Sequence, residues 1–201
     1  MRSRRTFIAA TASVVAAFAF GKKSSFASTD LAAFVNEVAD RAITKLSSAE
    51  ATDAARAAAL KPVLEQYFDM PGIAKYTLGA YWKKATPEQQ QSYVQAFTDY
   101  MSMVYGQRFK EYGGEKLVVK RVRDEGSKAT VFATVNNTNS QPPRVDWDIR
   151  IDGDRPLITD IRVEGLSLAE THRQEFTSVI SQNGGSVDAL IAILHKKAAA
   201  N

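Results

Sequence analysis

Between Gly113 and Gly165 the hydrophobic pattern of this chain changes period, and no other feature limits its fold so narrowly. Before that stretch apolar residues recur every three or four positions, the spacing of one helix face. Inside it they alternate with polar residues, the spacing of a half-buried strand. After it the helical spacing returns. Helices, then short-linked strands, then helices again describe an α+β protein: an antiparallel sheet of about four strands packed against several helices.

The helical stretches carry their own boundaries. Thr29 and Asp30 stand before a stripe of Leu31, Phe34, Val35, Val38, Ala42 and Leu46. A polar, alanine-rich run from Ser47 to Ala59 reads as a connection. A second stripe, Leu60, Val63, Leu64, Tyr67 and Phe68, has Pro62 where a first turn tolerates it. Asp69-Met70-Pro71-Gly72 reads as a break before a short helix from Ile73 to Leu78. Thr86-Pro87-Glu88-Gln89 has the form of a capping box with proline at the first helical position. The helix it starts is predicted to reach Tyr112, roughly 39 Å, and to stop at Gly113-Gly114. Trp82, just ahead of the box, reads as a structural anchor.

Four strands follow, at 116–123, 129–136, 144–151 and 157–164, with turns at 124–127 and 152–154 and a longer polar loop from Asn137 to Pro143. Val145, Trp147, Ile149 and Ile151 share one face; Asp146, Asp148 and Arg150 share the other, read as a solvated face. The last helices carry Leu168, His172, Phe176, Val179 and Ile180, then Val187, Leu190, Ile191 and Leu194, separated by Asn183-Gly184-Gly185.

The net charge of +4 suggests nucleic acid until its position is considered. Arg2, Arg4, Arg5, Lys22 and Lys23 lie within residues 1–27, which contain no acid. Taking those five from 26 basic residues leaves 21 against 22 acidic ones. The remainder is nearly neutral, and no nucleic-acid partner is expected. The basic residues instead flank the apolar run Thr6 to Phe20, too short for a permanent span. With small residues at Ser25 and Ala27, residues 1–27 read as a cleavable export signal, and Ser3-Arg4-Arg5-Thr6-Phe7-Ile8 is similar to a twin-arginine signature. Residues 28–201 then form one periplasmic domain.

Chemistry is scarce in that domain. Cysteine is absent, which excludes disulfides, thiolate metal sites and a lipid-anchoring cysteine. Neither histidine, His172 nor His195, has a second ligand at metal-like spacing. Ser167 and Ser178 lack a nucleophile-elbow context. One enzymatic reading stays open: small cone-shaped α+β isomerases and dehydratases use an Asp inside the cone, and Asp146, Asp148 and Asp160 lie on strands. The other reading is an apolar pocket between sheet and helices. Periodicity nominates Tyr105 and Phe109, Val131, Ala133, Val145, Trp147 and Ile149, and Phe176 and Ile180 as its wall.

Three blocks of sequence resemble one family. Leu78-Gly79-Ala80-Tyr81-Trp82-Lys83-Lys84-Ala85-Thr86-Pro87-Glu88-Gln89, followed by Phe97 and Tyr105, is the first. The second is Asp160-Ile161-Arg162-Val163-Glu164-Gly165-Leu166-Ser167-Leu168, with Arg173 and Phe176. Gly184-Gly185-Ser186-Val187-Asp188-Ala189-Leu190-Ile191 is the third. Together they resemble the MlaC-type periplasmic phospholipid-binding proteins, the toluene-tolerance auxiliary family of a lipid ABC transport system. Thr159 and His172 depart from it, standing where tyrosines are common. The hopanoid-associated, HpnM-like branch therefore stays open, and with it the exact lipid. The resemblance implies a non-enzymatic carrier with lipid tails between the layers, the lipid being cargo and no cofactor being needed. It also implies two partners: an inner-membrane ABC transporter with an MCE-domain subunit, and an outer-membrane lipoprotein–porin complex.

Overall fold

The structure is a computed structural model that describes residues 28–136, 142–153 and 155–199. The export signal read over residues 1–27 lies outside these, as does most of the loop read from Asn137 to Pro143. Helix α1 (Ser28–Ser48) is followed by α2 (Asp53–Tyr67), α3 (Met70–Leu78) and α4 (Pro87–Arg108). Five strands come next: β1 (Lys116–Asp124), β2 (Lys128–Asn136), β3 (Arg144–Asp152), β4 (Arg155–Val163) and the two-residue β5 (Leu166–Ser167). Helices α5 (Leu168–Gln182) and α6 (Val187–Ala199) close the chain. The strands pair antiparallel in chain order, β1 to β5, as short connections require.

Two helix starts differ from the periodicity reading. The run read as a connection is helical from Asp53, because Thr52 accepts from the Ala55 N–H at 3.1 Å and the alanines that follow favour helix. An apolar stripe is missing there because small residues let two backbones approach. A Cβ on Gly106 of α4 would stand 3.1 Å from the Ala57 backbone nitrogen on α2. The early start moves Pro62 into the helix interior. Pro62 and Ala58 are both exposed, so water can reach the carbonyl that loses its donor. The apparent break at Asp69–Gly72 is likewise the first turn of α3: Asp69 accepts from the Gly72 N–H at 3.1 Å. Gly72 is required there, since a Cβ would meet the Asp69 carboxylate at 2.2 Å.

The capping box of α4 is complete. Thr86 Oγ1 accepts from the Gln89 N–H at 3.2 Å, and Gln89 Oε1 accepts from the Thr86 N–H at 3.0 Å. The α-helix ends at Arg108 and tightens into a 3₁₀ turn over Phe109–Glu111, so it is about 33 Å long rather than 39 Å. Trp82 is half-buried, and its carbonyl accepts from the Gln90 side chain at 2.9 Å.

On the sheet's inner face Ala129 pairs with Ile149, Val131 with Trp147 and Ala133 with Val145. Trp147 and Val145 pair onward with Ile161 and Val163 of β4. Thr159 is extra between Ile158 and Asp160, a bulge in β4. Asp69 binds both long strands here: its N–H donates to the Ile158 carbonyl of β4 at 2.9 Å, and its carboxylate accepts from Arg150 of β3 at 3.0 Å. The outer face is less solvated than alternation suggests. Asp146 is only 4% exposed, with Arg144 at 3.5 Å and Arg162 at 4.0 Å from its Oδ2. Asp148 accepts from Thr130 at 2.9 Å and pairs with Arg162. Long arginine side chains cover these short acids, which a period-two pattern cannot foresee.

Candidate functional site

An apolar chamber of about 340 Å³ lies between the helices and the β3–β4 side of the sheet. Helix α1 contributes Val38, Ala39 and Ala42; α2 contributes Leu60, Val63 and Leu64. Phe68, Met70 and Ile73 close the end at α3, and Phe97, Met101 and Tyr105 of α4 form the floor. The sheet supplies Trp147, Asp160, Ile161 and Val163, and α5 supplies Leu168, Ala169 and His172. Val163 is 38% exposed, and the other lining residues are buried or half-buried, so the chamber meets solvent at Val163. Beside it, Leu166 on β5 is 72% exposed and pairs with Val163.

Three of the polar side chains on this wall are tied to protein partners. Tyr105 Oη and His172 Nε2 are 3.3 Å apart. Asp160 Oδ1 accepts from the Ala169 N–H at 3.0 Å, which fixes the start of α5, while Ser167 caps that helix by accepting from Glu170. Of the three strand acids considered as a catalytic base, Asp160 alone reaches the chamber, and there it serves as a second cap. His172 is 8% exposed, stacks on Phe176 at 5.5 Å, and has Nδ1 3.5 Å from a Glu175 oxygen. Burial, the largest influence, pushes its pKa below the usual histidine range, against the attraction of Glu175.

That depression has a consequence for stability. Above about pH 6.5 the imidazole is neutral in folded and unfolded chains alike. As pH falls below that, the unfolded chain takes up a proton that the buried ring resists, so stability drains away until the lower folded pKa is passed. Urea midpoints measured between pH 7.5 and 5 are expected to fall for the native chain and to fall less for His172→Phe. Identical slopes would show that the ring protonates as freely in the fold as outside it.

Of the nine wall residues nominated by periodicity, Tyr105 and Trp147 line the chamber and seven stand elsewhere. Val131, Ala133 and Ile149 are 0–2% exposed on the inner face, in the packed core beneath α1, which lies over β1 and β2. Val145 is half-buried beside them. Phe176 and Ile180 are buried, and Phe176 meets Tyr93, Phe97 and Tyr100 of α4 at 6.4, 6.2 and 6.0 Å. Phe109 stacks on Tyr112 at 4.9 Å beyond the end of α4. Sheet register was right; the chamber is displaced from the sheet's middle toward β4. Val38, Ala42, Leu60, Val63, Leu64 and Phe68 on its wall belong to the two apolar stripes, and nothing in a stripe separates a wall from a packed interface; Ala39, Met70 and Ile73 lie outside those stripes. The one hint was the pair of short side chains, Ala39 and Ala42, among larger ones.

Helices laid over an antiparallel meander, with an apolar chamber between the layers beside the sheet's last long strand, define an α+β protein with an internal apolar cavity. The chain belongs to the MlaC family, whose model matches residues 36–196 under the description "MlaC protein". It is similar to the toluene tolerance protein Ttg2D of Pseudomonas putida, at 27% identity over 135 residues, 66% of this chain. The match spans 63% of that relative's length. It is also similar in structure to a phospholipid-binding protein from Ralstonia solanacearum, solved in complex with a phospholipid. The TM-score is 0.69 with 25% identity, covering 83% of this chain and 96% of that one.

Proposed function

We propose that residues 28–201 form a single-domain periplasmic carrier that holds the acyl chains of a phospholipid in the apolar chamber and leaves the head group at Val163. The observation that carries this reading is the chamber itself: about 340 Å³, walled by aliphatic and aromatic side chains, with one exposed lip. Ligand sites run from roughly 300 to 1,000 Å³, and the apolar wall of this one suits hydrocarbon chains better than a charged head group. Each methylene is worth about 0.8 kcal/mol out of water. Two chains of roughly 15 methylenes would then cost on the order of 20 kcal/mol to expose, so transfer through water needs an enclosing wall and no catalytic residue. Membership of the MlaC family and the likeness to a phospholipid-binding structure support lipid as the cargo.

The same membership, with a toluene tolerance protein among the relatives, supports the two partners: an inner-membrane ABC transporter with an MCE-domain subunit and an outer-membrane lipoprotein–porin complex. Among the described residues no helix is long and apolar enough to cross a membrane. That agrees with a carrier that moves between membranes after an N-terminal signal has been removed. Native mass spectrometry of the gently purified protein, with extraction of the bound molecule, is the test. One diacyl phospholipid per chain is expected. Protein that comes out empty, and stays empty when mixed with phospholipid vesicles, would end the carrier reading.

A further inference from the structure

We propose that the indole N–H of Trp147 is a hydrogen-bond donor for the cargo, so that the chamber prefers lipids whose chains are attached through ester carbonyls. The inference rests on the carrier reading and adds a selection within it. It begins from an unspent donor: Trp147 lines the chamber, is 8% exposed, and its Nε1 is buried with no acceptor among the described residues. Indole nitrogen can only donate, and buried donors are almost always paired. The other polar groups on the wall are engaged. Tyr105 and His172 face each other, and Asp160 holds the Ala169 N–H. His172 Nδ1 is also without a hydrogen-bond partner, but it lies 3.5 Å from the Glu175 carboxylate. A lone water is a poor substitute at Trp147, since ordered buried waters need two to four polar partners and the neighbouring wall is apolar.

Depth identifies the acceptor. Val163, at the lip, pairs with Val145; Trp147 pairs with Ile161, the next residues inward on the same face. Two residues along a strand span about 7 Å. With a head group at Val163 and chains inside, the first oxygens to pass the lip are those joining chain to glycerol. A carbonyl there would take the N–H for which the protein supplies no acceptor, once the indole turns to meet it; an ether oxygen, a weaker acceptor without the projecting carbonyl, would meet it poorly. The donor is already buried without a partner, which is where a single added hydrogen bond discriminates best.

The test compares a diester phosphatidylethanolamine with the diether of identical chains, offered in vesicles to the native chain and to Trp147→Phe. The native chain is expected to favour the diester by about 2- to 12-fold. Trp147→Phe is expected to lose that preference, weakening diester binding by more than it weakens diether binding. In ¹⁵N-labelled protein the Trp147 indole proton, assigned against Trp82→Phe, is expected to shift downfield with diester and not with diether. Should Trp147→Phe fail to fold, the two lipids and the indole signal of the native chain still decide. Equal affinities in the native chain, an indole proton indifferent to the carbonyl, or equal loss of both lipids in the variant would overturn the proposal and leave the carrier reading intact. Binding of neither lipid would overturn both.

Discussion

Ala42→Trp is expected to empty the protein of lipid without unfolding it. Ala42 sits on α1 with its side chain on the chamber wall, half-buried, across from the sheet residues Trp147 and Ile161. An indole placed there has about 340 Å³ to enter and displaces nothing that is packed. Filling a void reverses the penalty of making one, and cavity-filling substitutions commonly add about 0.5–2 kcal/mol. The melting temperature of the lipid-free variant is therefore expected to match or exceed that of the lipid-free native chain. Lipid occupancy by mass spectrometry is expected to fall below detection, because the space that chains need is taken by covalently held carbon. Ala133→Trp is the matched contrast. Ala133 is 1% exposed and paired with Val119 and Val145, with no room above it, so overpacking is expected to cost about 1–3 kcal/mol or more. If Ala42→Trp destabilises as Ala133→Trp does, the chamber is closed in solution. If Ala42→Trp still carries lipid, the chains lie elsewhere.

The contrast between those two alanines also shows where sequence stops being informative. Strand register was legible because side chains alternate with a period of two, and an error of one residue would have turned Trp147 away from the helices. The start of α4 was legible because Thr86, Pro87 and Gln89 each solve a local problem, an orphan donor or a missing one, that does not depend on the rest of the fold. Asp53–Ala59 was not legible as helix because its partner is a glycine fifty residues on. A close approach of two backbones leaves no stripe, only small residues. The chamber was half legible for a related reason. Periodicity reports which face of an element turns inward, and every inward face here is apolar. Whether that face meets another side chain or empty space depends on how far α1 and α2 stand from β4. That distance belongs to the assembled layers, which Asp69 helps to join by binding Ile158 and Arg150, and not to any one element's pattern. Ala133 and Ala42 look alike in sequence, and only the three-dimensional placement of α1 makes one of them core and the other wall.

Phe176→Ala is expected to do the reverse of Ala42→Trp: a large loss of stability with lipid still carried. Phe176 is 1% exposed and lies edge-on to Tyr93 and Phe97, each at an interplanar angle of 88°, with the His172 ring stacked beside it. Its ring fastens α5 to α4 directly behind the chamber, and two of its neighbours, Phe97 and His172, present their other sides to the cavity. Truncation removes the ring and leaves a void among side chains that cannot close around it, at a cost of about 3–5 kcal/mol. For a chain of this size each kcal/mol lowers the melting temperature by about 2–4 °C, so a fall on the order of 10 °C is expected. The chamber wall itself stays in place, and below the new melting temperature the variant is expected to take up one lipid. Lipid that binds only the folded chain is expected to raise the melting temperature of variant and native protein alike. Measuring denaturation midpoints with and without lipid separates the two roles. A stability change under about 1 kcal/mol with occupancy lost would place Phe176 on the cavity, as its periodicity first suggested. A large change with occupancy kept makes it the backing against which Phe97 and His172 hold the wall rigid.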